Sequence, residues 1–116
     1  MPSPSERDSN LYLEDMLRFC ERVIEYSGSR DMPALRADAM RFDAVLRNLE
    51  LIGEAATHVP DAVRLAHPDI PWRLVIATRN RLIHGYLGID DDTVWSIVSA
   101  DVPALCAQLS ELLRTG

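Results

Sequence analysis

Residues 42–56, Phe42-Asp43-Ala44-Val45-Leu46-Arg47-Asn48-Leu49-Glu50-Leu51-Ile52-Gly53-Glu54-Ala55-Ala56, carry the pattern that decides the fold. Phe42, Val45, Leu46, Leu49, Ile52, Gly53 and Ala56 recur at intervals of three and four, the spacing that lines up side chains on one face of an α-helix. The same period runs upstream through Leu13, Met16, Leu17, Cys20, Val23 and Ile24. Downstream it returns in Trp72, Val75, Ile76, Arg79 and Ile83, and again in Val94, Trp95, Val98, Val102, Leu105, Leu109 and Leu112. No stretch sustains the period-two alternation of a strand. Four main helices joined by short loops predict an all-α, antiparallel bundle of four to five helices.

Punctuation residues set the expected boundaries. Ser9 suits an N-cap after a Pro/Ser-rich, flexible tail over residues 1–8, and Gly28 suits the end of the first helix. The second helix runs to Pro60 and starts as early as the Ala34 to Met40 region. A short piece from Asp61 to Ala66 turns over at His67-Pro68. Asp69 and Pro71 open the third helix. Asp90, Asp91 and Asp92 open the fourth, where carboxylates complement the positive end of the helix dipole. Pro103 removes a backbone donor inside the last stripe and predicts a kink there. Gly53 in mid-helix reads as a close approach of two helices. Residues 9–116 thus read as one domain.

Composition bounds the rest. With 116 residues, 47% hydrophobic and 26% charged, the chain is long enough to bury one core and too mixed for a disordered polyelectrolyte. No apolar run approaches the roughly 18 residues of a membrane span, and the first residues do not resemble a signal peptide. A cytoplasmic protein that does not enter membranes is expected. Cys20 and Cys106 fall at apolar helical positions and read as reduced core residues. All twelve basic residues are arginine, and the formal net charge is −6. Ile70 to Leu87 nevertheless holds Arg73, Arg79 and Arg81 and no acid, so a local phosphate site is compatible with an acidic protein.

Metal chemistry finds little support. Glu54 and His58 are spaced by four and have no matching second pair, and His58, His67 and His84 form no zinc spacing with the two cysteines. Neither a metal nor a cofactor is expected. The informative segment is Thr78-Arg79-Asn80-Arg81-Leu82-Ile83-His84-Gly85-Tyr86. Arg79 falls in the apolar row, where a guanidinium must be paired or kept wet. It either answers a carboxylate such as Glu54 or points into a cleft or subunit interface. Asn80 and His84, also spaced by four, share the neighbouring ridge, so amide, imidazole and guanidinium can converge near the helix end, with no other histidine expected nearby. A core-facing salt bridge beside a helix-terminal histidine would account for the same residues without any chemistry.

Arg79-Asn80 followed by His84-x-Tyr86 resembles the Arg-x4-His-x-Tyr signature of the HepT-like branch of HEPN domains. Arg47-Asn48-Leu49-Glu50 through Gly53-Glu54-Ala55, Ile70-Pro71-Trp72, Val94-Trp95 and Asp101-Val102-Pro103-Ala104-Leu105 are similar to that family's flanking segments. The resemblance implies a HEPN-type bundle with a kinked last helix, paired as a homodimer. It implies a metal-independent endoribonuclease toxin of a type VII-like pair, with Arg79, Asn80 and His84 catalytic and Glu54 and Arg81 in support. It also implies an RNA substrate and a cognate MntA-type minimal nucleotidyltransferase antitoxin that silences the toxin by AMPylation of Tyr86. Two other classes stay open: a non-catalytic nucleotide-binding or regulatory subunit of that nucleotidyltransferase, and a plain interaction scaffold.

Overall fold

The computed structural model describes residues 4–85 and 89–115. Among them the regular elements are all helical: α1 (Pro4–Ser27), α2 (Met32–Ala37), α3 (Ala39–Thr57), α4 (Asp61–Ala66), α5 (Trp72–Gly85), α6 (Asp91–Ser96), a π-helical turn (Ile97–Asp101) and α7 (Val102–Thr115). Helix α3 packs against both α1 and α5, and α7 packs against α1. The core joins Leu13, Met16, Cys20 and Val23 of α1 to Val45, Leu49, Ile52 and Ala56 of α3 and to Leu105 and Leu109 of α7. These are the stripes read from the sequence. Each large side chain buried there contributes roughly 1.5–3 kcal/mol, so the stability of the bundle is concentrated in α1, α3 and α7.

The α5 helix is embedded differently. Among the residues of α5 whose burial is described only Trp72 and Leu82 are buried, while Leu74 and Ile83 are 50% and 42% exposed. Much of its surface is therefore available to a ligand or another chain. Its start is held by the Trp72 indole, which donates to the His67 carbonyl at 3.0 Å. Gln108 of α7 donates to the Asp69 carbonyl at 2.9 Å, tying the preceding loop to the last helix.

Most helix ends follow their punctuation. Gly28 adopts φ +55°, and its N–H donates to the Ile24 carbonyl at 2.9 Å, closing α1 in the left-handed geometry that favours glycine. Asp90 caps α6 by accepting from the Thr93 N–H at 2.7 Å, and that bond holds its carboxyl below the usual range. Ahead of Pro103 the helix widens into the π turn. The wider turn accommodates the missing donor and bulky ring of proline, which gives the last helix its expected irregularity. Both cysteines are free thiols, and burial pushes the Cys20 thiol up to about 12.

One boundary differs from the expectation, and another is sharpened within it. Helix α1 begins at Pro4, and Ser9 lies buried inside it instead of capping it. Proline suits a first helical position because its fixed φ is already helical and its absent N–H has no intrahelical partner there. Residues 4–8 of the expected tail thus belong to α1, and residues 1–3 lie outside the described part. The second long helix starts at Ala39, inside the expected Ala34 to Met40 region, and a separate short helix precedes it. Asp38 ends α2 and caps α3, its carboxylate accepting from the Arg41 N–H at 3.2 Å. This break allows Met32 and Leu35 to be buried on a separate short helix, and Arg36 then reaches Asp91 at 3.4 Å and lies over the Phe42 ring.

Candidate active site

The geometry of the site starts from Gly53. A Cβ added there would lie 2.2 Å from Arg79 Cβ and 3.0 Å from the Val75 carbonyl oxygen. Helices α3 and α5 therefore cross where one of them has no side chain, and the backbone of Arg79 is drawn against α3. This places Arg79 within reach of the residue after the glycine. Its Nη2 meets Glu54 Oε2 at 2.7 Å, and its Nη1 donates to Asn80 Oδ1 at 2.8 Å. The carboxylate named as one possible answer to Arg79 is the one it uses.

That pair is not sealed in the core. The Arg79 side chain keeps 27% of its surface and Glu54 keeps 46%, so solvent screens their attraction, and pairs of this exposure contribute about 0–1 kcal/mol. Arg79 Nε is buried and has no hydrogen-bond partner among the described residues, the kind of group that folding disfavours unless it is kept for another purpose. A guanidinium held at a half-open surface offers a fork-shaped donor set that can bind an anion.

One turn beyond Asn80, His84 is exposed at the end of α5 and takes part in no hydrogen bond or ion pair among the described residues. Its imidazole is available for proton transfer or for a ligand. Tyr86 lies outside the described residues. Arg81 stands about 200° around the helix from Arg79 and lines a different cleft, of about 420 Å³, with Asp90, Asp92 and Thr93. Its charge is felt by Asp90, so it faces the acidic start of α6 and not the Arg79 group.

One neighbour of Arg79 was not foreseen. His58 Nε2 lies 3.3 Å from Glu54 Oε1, while the other carboxylate oxygen holds Arg79, and the His58 ring stacks on Tyr12 of α1 with centroids 5.0 Å apart and planes 18° apart. This corrects the expectation that His84 is the one histidine near the arginine motif. The spacing of four between Glu54 and His58 is visible in the sequence, but it carries no sign that α5 packs beside the pair. Among the described residues no group of three or more His, Cys, Asp and Glu side chains is placed to hold a metal ion. Nor is any helix among them long and apolar enough to cross a membrane.

The model of the ribonuclease HepT-like family matches residues 16–112, which spans α3, the α3–α5 crossing and the whole Arg79 to His84 segment. The chain belongs to the ribonuclease HepT-like family. A Thermococcus cleftensis protein named "Probable ribonuclease HepT" is 35% identical over 109 residues, covering 94% of this chain and 99% of the relative. A Methanocaldococcus jannaschii protein named a "Putative RNase" is 39% identical over 87% of this chain and 93% of its own length. A third, from Caldanaerobacter subterraneus subsp. tengcongensis and named in the same way, is 33% identical over 89% of this chain and 92% of the relative. No solved structure gave a significant match. Within this HepT-like chain, the matched span includes the surface of α5 that carries Arg79, Asn80 and His84.

Proposed function

We propose that this HepT-like chain is a metal-independent endoribonuclease toxin that acts as a homodimer, with Arg79, Asn80 and His84 of both protomers facing a shared cleft. The observation that supports this reading is the state of α5: a guanidinium held at a half-open surface, one turn from an exposed histidine with no partner among the described residues. Attack of the RNA 2′-hydroxyl on the adjacent phosphorus, with breakage of the P–O5′ bond, requires an acceptor for the 2′ proton, a proton donor for the leaving 5′-oxygen and positive charge at the phosphorane. Arginine supplies the permanent, fork-shaped charge. Histidine supplies proton transfer near neutral pH, and the two His84 side chains of a dimer divide the acid and base roles. Asn80, already bonded to Arg79, orients the guanidinium.

Mixing subunits tests the composite site. When wild type is co-refolded with an excess of the His84→Ala chain, the mixed dimers are expected to cleave RNA no faster than His84→Ala alone, because a mixed cleft keeps one imidazole and lacks either the acid or the base. An enforced monomer with full activity would contradict the dimer.

The same reading assigns silencing to a cognate minimal nucleotidyltransferase that transfers AMP from ATP to the Tyr86 hydroxyl. The transfer releases pyrophosphate and adds a phosphate charge two residues beyond His84 in the sequence, which would repel RNA. Incubation with that enzyme and ATP should add AMP mass to wild type and abolish its cleavage, and should leave Tyr86→Phe unmodified and active. Inhibition without a mass change would replace modification with masking.

A further inference from the structure

Tyr12, His58, Glu54 and Arg79 form one continuous contact chain across three helices. Tyr12 on α1 stacks on His58, His58 meets one oxygen of Glu54 on α3, and the other oxygen meets Arg79 on α5. An ionised carboxylate only accepts hydrogen bonds, so the His58 nitrogen facing it carries the proton. The ring cannot turn freely to withdraw that donor, because one of its faces lies against Tyr12. Glu54 itself is 46% exposed, and a carboxylate so exposed would rotate among several staggered positions if nothing held it. A guanidinium that depends on it would then move as well. Displacing a charge-stabilising group by about 1 Å can lower a rate by as much as 10²-fold.

We infer that His58, braced by Tyr12, is a positioning residue: it fixes the Glu54 carboxylate so that Arg79 is presented to the RNA phosphate in one orientation. His58 does not transfer a proton in this arrangement, and it touches Arg79 only through Glu54. The inference deepens the ribonuclease reading and rests on it for its kinetic consequence, but the mechanical link from His58 to Arg79 is a property of the folded chain alone.

Three full-length variants separate the possible roles. His58→Gln keeps a donor at about the same reach and cannot shuttle protons at neutral pH. His58→Phe keeps the ring on Tyr12 and loses the donor. His58→Ala loses both. The expected result on single-stranded RNA is a kcat about tenfold lower in His58→Ala and His58→Phe with KM changed less than about twofold, and a rate restored to within about threefold of wild type in His58→Gln. Losses of 10²-fold or more in both His58→Ala and His58→Gln would make His58 a proton carrier. Recovery in His58→Phe would assign its role to ring stacking. Either outcome overturns the inference.

A second measurement does not depend on cleavage. The side-chain ¹⁵N resonances of Arg79 in the RNA-free protein should indicate restricted guanidinium rotation in wild type and His58→Gln, and faster rotation in His58→Ala. Equal rotation in wild type and His58→Ala would refute the link from His58 to Arg79. A wild type that cleaves no RNA but retains the His58-dependent restriction would refute the ribonuclease reading and leave the positioning link standing.

Discussion

Replacing His84 with alanine is expected to lower RNA cleavage by about 10²- to 10⁴-fold, the usual contribution of a positioned proton-transfer group. The fold should not register the change. His84 is exposed on the last turn of α5, and substitutions at such sites usually shift stability by less than about 0.5 kcal/mol. Helical circular dichroism, the melting temperature and the oligomeric state should therefore match wild type while the rate collapses. His58 makes this a sharper test than the sequence suggested, because a second imidazole stands beside the same arginine, linked to it through Glu54. If His58 were the proton carrier, His84→Ala would retain most of its activity. Activity close to that of wild type in a pure sample would move the chemistry away from the end of α5.

The largest effect on stability is expected from Gly53→Ala. The new methyl would overlap Arg79 Cβ, at 2.2 Å, and crowd the Val75 carbonyl, at 3.0 Å. These are parts of α5 close to its axis, so no side-chain rotation relieves the clash and the two helices must separate. Overpacking of this kind costs about 1–3 kcal/mol, which for a domain of this size lowers the melting temperature by roughly 5–15 °C. Separation would also shift Arg79 away from Glu54, so cleavage should fall even well below the melting temperature. Thermal denaturation followed by circular dichroism, with activity measured on the folded sample, checks both parts. A melting temperature within about 2 °C of wild type would mean that α3 and α5 are not pressed together at this point.

Gly53 also marks how far the sequence reaches. A glycine amid Leu49, Ile52 and Ala56 on one stripe has few explanations other than close helix contact, and the α3–α5 crossing is that contact. The start of α6 at Asp91, the short α4 and the altered turn before Pro103 were equally legible. Each is fixed by local chemistry: a capping carboxylate, a proline, a missing donor. The break at Asp38 was not legible, because Ala37, Ala39 and Met40 are all good helix formers. What favours the interruption is the burial of Met32 and Leu35 on a separate short helix, which is a tertiary gain.

The site divides along the same line. Arg79, Asn80 and His84 lie within six residues of one another on one helix, and helical spacing alone relates them. The association of His58 with Arg79 depends on the register between α3 and α5 and on Tyr12 arriving from α1, neither of which has a local signature. Arg81, close to Arg79 in sequence, turns instead toward α6, because adjacency along a helix is not adjacency around it.

The chemistry of the cut ends tests the central claim most directly. Purified wild-type protein and His84→Ala would be incubated with single-stranded RNA in excess EDTA, and the products resolved by mass spectrometry. Wild type is expected to yield 2′,3′-cyclic phosphate and 5′-hydroxyl ends at an undiminished rate, with almost no product from His84→Ala, as attack by the internal 2′-hydroxyl requires. Wild type that is silent in EDTA, recovers with magnesium and leaves 3′-hydroxyl and 5′-phosphate ends would contradict a metal-free reaction at Arg79 and His84.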